Sequence, residues 1–231
     1  MRKAILMAVV AAMACVGVAQ GGGGGQGRGG MRMMFGGGGG INTRFALRED
    51  VSKELNLTAD QRTKLQDVQD KMQEEMRAQF QGGGGPGNGG GPDRDAMRKM
   101  AEDMMAKQKA EITKILDEGQ MKRLKELSIQ RAGVSAITNP EVQTGLGLSD
   151  EQKAKIKELQ DKQQEAMQTL FQKMRDGDLD RDAMRTSMEN NRKIMDQELD
   201  KVLTADQKKK LTDMGGKPFT FDKDEGGPGG R

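Results

Sequence analysis

Val51-Ser52-Lys53-Glu54-Leu55-Asn56-Leu57-Thr58-Ala59-Asp60-Gln61 recurs later in the chain as Val142-Gln143-Thr144-Gly145-Leu146-Gly147-Leu148-Ser149-Asp150-Glu151-Gln152. Both copies keep their leucines, a hydroxyl residue after the second leucine and a glutamine three residues beyond it. Further on, Asp93-Arg94-Asp95-Ala96-Met97-Arg98 returns as Asp180-Arg181-Asp182-Ala183-Met184-Arg185. The copies close on Leu116-Asp117-Glu118-Gly119-Gln120 and Leu203-Thr204-Ala205-Asp206-Gln207, with Leu124 matching Leu211 just beyond. Matches in the same order along the chain mark an internal duplication. Unit one therefore runs over 41–131 and unit two over 132–215.

The repeated string has a physical reading. Thr58, Ser149 and Thr204, each preceded by a leucine (Leu57, Leu148, Leu203), are placed as helix N-caps. Gln61, Gln152 and Gln207 stand three residues later and complete capping boxes. Leu116, Asp117 and Gln120 form a variant of the same device. Asp60, Glu118, Asp150, Glu151 and Asp206 then fall in first helical turns, where the helix dipole favours negative charge. Arg62, Lys153 and Lys208 occupy the position at which a hydrophobic staple needs an apolar side chain, so no staple is expected.

After each leading motif the apolar residues recur at steps of three and four: Leu65, Val68, Met72, Met76 and Phe80 in unit one, Ile156, Leu159, Met167, Leu170 and Met174 in unit two. Second patterns carry Met97, Ala101, Met104, Met105, Ile112 and Ile115, and Met184, Met188, Met195, Leu199 and Val202. This is helical periodicity, and β-branched alternation is absent. The expected fold is all-α, with two tandem units each containing two long helices. A glycine run at 82–91 joins the long helices of unit one, whereas Asp176-Gly177-Asp178 makes a short turn in unit two. That difference predicts a floppier first unit.

The ends read differently. Arg2 and Lys3 precede an apolar run from Ala4 to Ala19 that is too short for an ordinary membrane span and reads as a signal peptide over 1–19, cut before Gln20. Residues 20–40 are a glycine-rich linker, and 216–231 a polar, glycine- and proline-bearing tail expected to be disordered. The single cysteine, Cys15, lies within the leader. Ala12-Met13-Ala14-Cys15 also loosely resembles a lipobox, which leaves a lipid anchor at Cys15 as the other reading. Either way the protein is exported to the periplasm or another extracytoplasmic space.

Loss of Arg2 and Lys3 lowers the formal charge from +3 to about +1, so the basic pI is no argument for nucleic acid or acidic membranes. The chain has no Trp, Tyr or His. It lacks stacking platforms for bases, ordinary zinc sites and the commonest general base. The glycine runs lack the Lys-Ser/Thr ending of a phosphate-binding loop. No catalytic residue and no cofactor are assigned, and an enzyme is not expected. No metal site is assigned either. The set that comes nearest is Asp178, Asp180, Asp182 and Glu189, at positions one, three, five and twelve of an EF-hand-like loop whose required glycine is Ala183. The nineteen methionines admit three readings: packing on the helical stripes, an adaptable surface for client proteins, and soft thioether ligands for Cu(I). Met97, Met104, Met105, Met184 and Met188 are the candidate client-binding side chains.

At its four motifs the chain resembles the LTxxQ-motif family of bacterial periplasmic proteins, the Spy/CpxP-like proteins, over nearly everything from Leu47 to Leu211. The resemblance implies a hooked helical hairpin for each unit and a cradle made by two units, whose concave face meets clients without ATP. It implies an extracytoplasmic chaperone-like or envelope-stress role, with unfolded or envelope proteins as partners. Two units in one chain fit either a monomer with pseudo-dimeric units or a homodimer. Metal-sensing relatives bind metal through histidine, which this chain lacks. The alternatives kept beside this reading are a metal-responsive Cu(I) or calcium binder and a structural surface lipoprotein.

Overall fold

The computed structural model describes residues 41–81 and 94–222. The leader, Cys15, the linker to residue 40, the glycine run at 82–91 and residues 223–231 lie outside these. Among the described residues there is no strand, and the fold is all-α. In chain order the helices are α1 (Thr43–Ala46), α2 (Glu49–Glu54), α3 (Ala59–Gln81), α4 (Arg94–Ile115) and α5 (Glu118–Ala132). A 3-10 helix (Gly133–Thr138) follows, then α6 (Pro140–Leu146), α7 (Asp150–Asp176), α8 (Arg181–Val202) and α9 (Ala205–Met214). No described helix is long and apolar enough to cross a membrane.

Local chemistry sets the helix ends. Thr58, Asp117, Ser149 and Thr204 each accept a hydrogen bond from the backbone N–H of the glutamine three residues on, and that glutamine's side chain accepts one back from the cap's own N–H. Each such box satisfies two donors that a helix N-terminus would otherwise strand. At α8 the cap is Asp180, which accepts from Ala183 N–H at 2.7 Å. Asn139 caps α6, with Pro140 in the first turn, where a missing N–H costs nothing. Gly177 ends α7 in the left-handed conformation with φ of 82°, and Asp178 N–H then reaches back to Lys173 O.

The turn that leads into each unit's first motif is built the same way twice. Asn56 has φ of 50° and Gly147 has φ of 67°. Leu57 N–H then donates to Ser52 O, and Leu148 N–H to Gln143 O, both at 3.0 Å. A left-handed residue is needed there, and Asn is among the few non-glycine residues that adopt it at modest cost.

The long helices fold back as antiparallel pairs. Gln152 at the start of α7 donates to Val202 O at the end of α8, while only the turn at 177–180 separates the other two ends. Gln61 at the start of α3 donates to Ile115 O at the end of α4 in the same way. Burial follows the stripes near these ends, and corresponding positions are buried alike: Val51 and Val142, Leu55 and Leu146, Leu65 and Ile156, Ile112 and Leu199, Leu124 and Leu211. The first of each pair belongs to one apolar cluster and the second to another. Helix α5 serves both. Its Met121, Leu124 and Leu127 belong to the first cluster, and Ile129 and Ala132 pack against the second. A fully buried Leu such as Leu124 or Leu127 contributes about 1.5 to 3 kcal/mol by leaving water.

One expectation needs correction. The sequence predicts a disordered tail over 216–231, but within its described part Phe219 and Phe221 pack against the first cluster, and the backbone between Gly215 and Asp222 is tied down by side chains of the first unit. Glycine and proline content marks a segment unable to form a helix; it does not prevent two phenylalanines from burying surface on a neighbouring helix face.

Candidate functional site

The four motif glutamines meet in two pairs. In the first unit Gln61 Nε2 donates to Gln120 Oε1 at 2.7 Å and Gln120 Nε2 donates to Gln61 Oε1 at 3.1 Å. The spare donors go to Ile115 O from Gln61 and to Leu55 O from Gln120, each at 3.1 Å. In the second unit Gln152 and Gln207 exchange bonds of 2.7 and 3.1 Å, and Gln152 also donates to Val202 O at 2.8 Å. Each pair is a closed ring of two amides lying half-buried between helix ends. The ring locks the start of one long helix, the end of its partner and the start of the next helix together.

This geometry explains why glutamine stands at all four positions. A capping box accepts Glu or Gln alike, because only an acceptor is used. The ring needs an acceptor and a donor on one side chain, which Gln has and an ionised Glu lacks. Sequence reasoning placed the caps but missed the pairing. The signal was the uniform Gln where Glu would cap as well. Leu57, Leu116, Leu148 and Leu203, the apolar partners in the motifs, are all buried. The motif residues thus do structural work, and beside the first ring lies an open concavity of about 530 Å³ bordered by Glu54, Asn56, Thr58, Asp117 and Arg123.

The candidate client-binding methionines separate. Met105 is 56% exposed and Met104 half-buried on α4. Met188 is half-buried, and Met184 is only 4% exposed, so in this conformation it offers little to a partner. The side chain of Met97 lies outside the described residues. On α7, Met167 and Phe171 are half-buried and Met174 is 39% exposed. Their spacing of four and three residues puts them on one face, beside the buried Leu170. Phe171 was not singled out from sequence, although it extends the same stripe. Ile194 on α8 is 44% exposed.

The carboxylates at 178–189 have other partners or face solvent. Asp180 caps α8, Glu189 pairs with Lys193 at 2.9 Å, and Asp178 and Asp182 are exposed. Among the described residues no group of three or more Cys, Asp or Glu side chains is placed to hold a metal ion.

A second polar framework lies on the first unit. Arg48 donates to both oxygens of Asp50, Nε at 3.0 Å and Nη2 at 2.8 Å. That bond, with N–H donation from Asp222 and Val51, outweighs the effect of burial and holds the Asp50 carboxyl at about 2. Arg123 pairs with Glu54 and Glu126 at 2.7 and 3.0 Å. The segment 215–222 runs across this framework. Arg123 donates to Lys217 O, Gln130 Nε2 to Gly215 O and Lys217 O, and Arg48 to Asp222 O. Phe219 N–H donates to Gln130 Oε1, and Asp222 N–H to Asp50 Oδ2, each at 2.9 Å. The Phe219 and Phe221 rings meet edge to face at 5.0 Å, and Phe221 lies 6.2 Å from Phe45.

Comparison of this chain with family models, with curated proteins and with solved structures yields no match.

Proposed function

We propose that this chain is an exported, ATP-independent binder of unfolded or partner proteins, built from two LTxxQ-type helical units. The observation that carries the reading is the stripe of Met167, Phe171 and Met174 on α7, with Met105 and Ile194 exposed elsewhere on the long helices. Covering such partly exposed side chains is worth about 1 kcal/mol each, a fraction of what full burial gives. Binding by a few of them is weak and reversible, as a holding function requires. Methionine adapts its shape to unlike partners, which favours a broad client range over a single ligand. Interspersed charges such as Lys173, Arg175 and Asp176 keep the stripe soluble while it is empty. The resemblance at the four motifs and the charged, apolar leader support the same role in an extracytoplasmic space.

The test is aggregation of a denatured client followed by light scattering, with the chain at stoichiometric amounts and no nucleotide. Suppression of scattering with client bound is the expected result, and unchanged scattering across several clients would overturn the proposal. With both units in one chain, the cradle is proposed to form internally. Sedimentation is expected to give a monomer, and a tight homodimer would count against that part.

A further inference from the structure

We propose that the face formed by α1, α2 and α5 is a groove for extended polypeptide carrying two aromatic residues at positions i and i+2, and that residues 217–222 of this chain occupy it in cis. The proposal rests on the reading of the chain as a protein binder and names the kind of segment it takes.

The bonds that hold the segment are those of peptide recognition. Side chains of Arg48, Asp50, Arg123 and Gln130 engage backbone atoms of residues 215, 217, 219 and 222. Backbone contacts give affinity without reading sequence, and apolar sockets for alternate side chains then give preference. Phe219 and Phe221 supply that alternation, since residues two apart in an extended chain face the same side. Both rings are half-buried against the cluster that contains Phe45.

The framework is made within the first unit. Arg48 is paired with Asp50, and Arg123 with Glu54 and Glu126, all on α2, α5 or the residue before α2. Gln130 differs, because both ends of its amide are used on the segment's backbone. The segment joins α9 through Gly215 and Gly216. Gly216 has φ of 66°, and a Cβ there would lie 2.3 Å from the Glu126 carboxylate, so the connection passes tightly beneath that side chain. A short two-glycine connection also sets a high local concentration of the segment, on the order of millimolar, against which any segment in trans must compete.

The experiment uses the full chain and a fluorescein-labelled peptide of residues 216–222, Gly-Lys-Pro-Phe-Thr-Phe-Asp. Binding is measured by anisotropy for the wild type and for the double variant Phe219→Ser/Phe221→Ser, whose own segment no longer fills the sockets. The double variant is expected to bind the peptide at least tenfold more tightly than the wild type, and a peptide with Ser at both phenylalanine positions is expected not to bind. An unrelated peptide with the same aromatic spacing is expected to displace the label. Equal binding by wild type and a folded variant would overturn the proposal. If circular dichroism shows that the variant has lost helix, saturating peptide is expected to restore it, and failure to restore it would overturn the proposal too. Client suppression by the wild type is read separately, so a chain that suppresses aggregation yet binds no peptide would sink the groove alone.

Discussion

The first and second units share their motifs, their glutamine rings and their core positions, yet they are completed differently. In the second, the apolar cluster is closed by the chain's own neighbours, with Met214 and Ile129 packed against it. In the first, Phe219 and Phe221 arrive from the far end of the sequence to cover the cluster beside Phe45. The same pattern of leucines, caps and glutamines thus specifies the junction, while the residues flanking it decide what the exposed flank of each core accepts. Repeated sequence fixes repeated geometry where one side chain has several partners, as at Gln61 and Gln152, and leaves freedom where a face has none of its own.

The sharpest way to break the comparison is through the two cores. Ile112→Ala and Leu199→Ala remove equivalent, fully buried side chains, and each is expected to cost about 3 kcal/mol. Hydrogen exchange is expected to rise mainly in the helices of the altered unit; a uniform rise through both units would mean one core, not two. Next come the rings. Gln120→Glu and Gln207→Glu keep the capping acceptor and remove the donors, so each is expected to cost roughly 2 to 3 kcal/mol in urea unfolding, more than an exposed capping change would. A loss under 0.5 kcal/mol, marking at most a minor ring contribution, would reduce the glutamines to caps.

Acid reaches the first unit through Asp50. Asp50 titrates at about 2 in the folded protein against 3.8 ordinarily, so its stabilisation is present above the ordinary value and lost as pH falls through 2. Between about pH 4 and pH 2 the first unit and the 217–222 segment are expected to loosen, seen as faster exchange at the Phe219 and Asp222 amides. The Asp50→Asn variant is expected to flatten that dependence, and an unchanged profile would remove Asp50 as its cause. The smallest effect concerns the turns. Asn56→Ala is expected to cost about 1 kcal/mol and Asn56→Gly to gain a few tenths, because only glycine sits at that positive φ without strain. Gly147→Ala is expected to cost a few tenths more than Asn56→Ala, because it starts from glycine.

Much of this was legible in the chain because it depends on neighbours in sequence. Helical periodicity and the caps at Thr58, Ser149 and Thr204 are local, so spacing alone reveals them. The glutamine rings join residues far apart in sequence, and nothing local distinguishes a Gln that caps from one that also pairs. The seat of Phe219 and Phe221 was hidden for the same reason: a segment of glycine, proline and charge carries no periodicity, and its order comes from Gln130, Arg48 and Asp50. Met184 is buried where Met105 is exposed, and spacing alone does not separate the two, because a stripe methionine reads alike whether it faces a partner helix or solvent.

The most direct test follows the intrinsic fluorescence of an unfolded, tryptophan-containing client as this chain is added, since the chain itself has no Trp. The account predicts a saturable change without nucleotide, weakened about tenfold by Phe171→Ser/Met174→Ser, a change of about 1.4 kcal/mol in binding. A client signal that stays flat at every ratio, or a double variant that binds as well as the wild type, would contradict it.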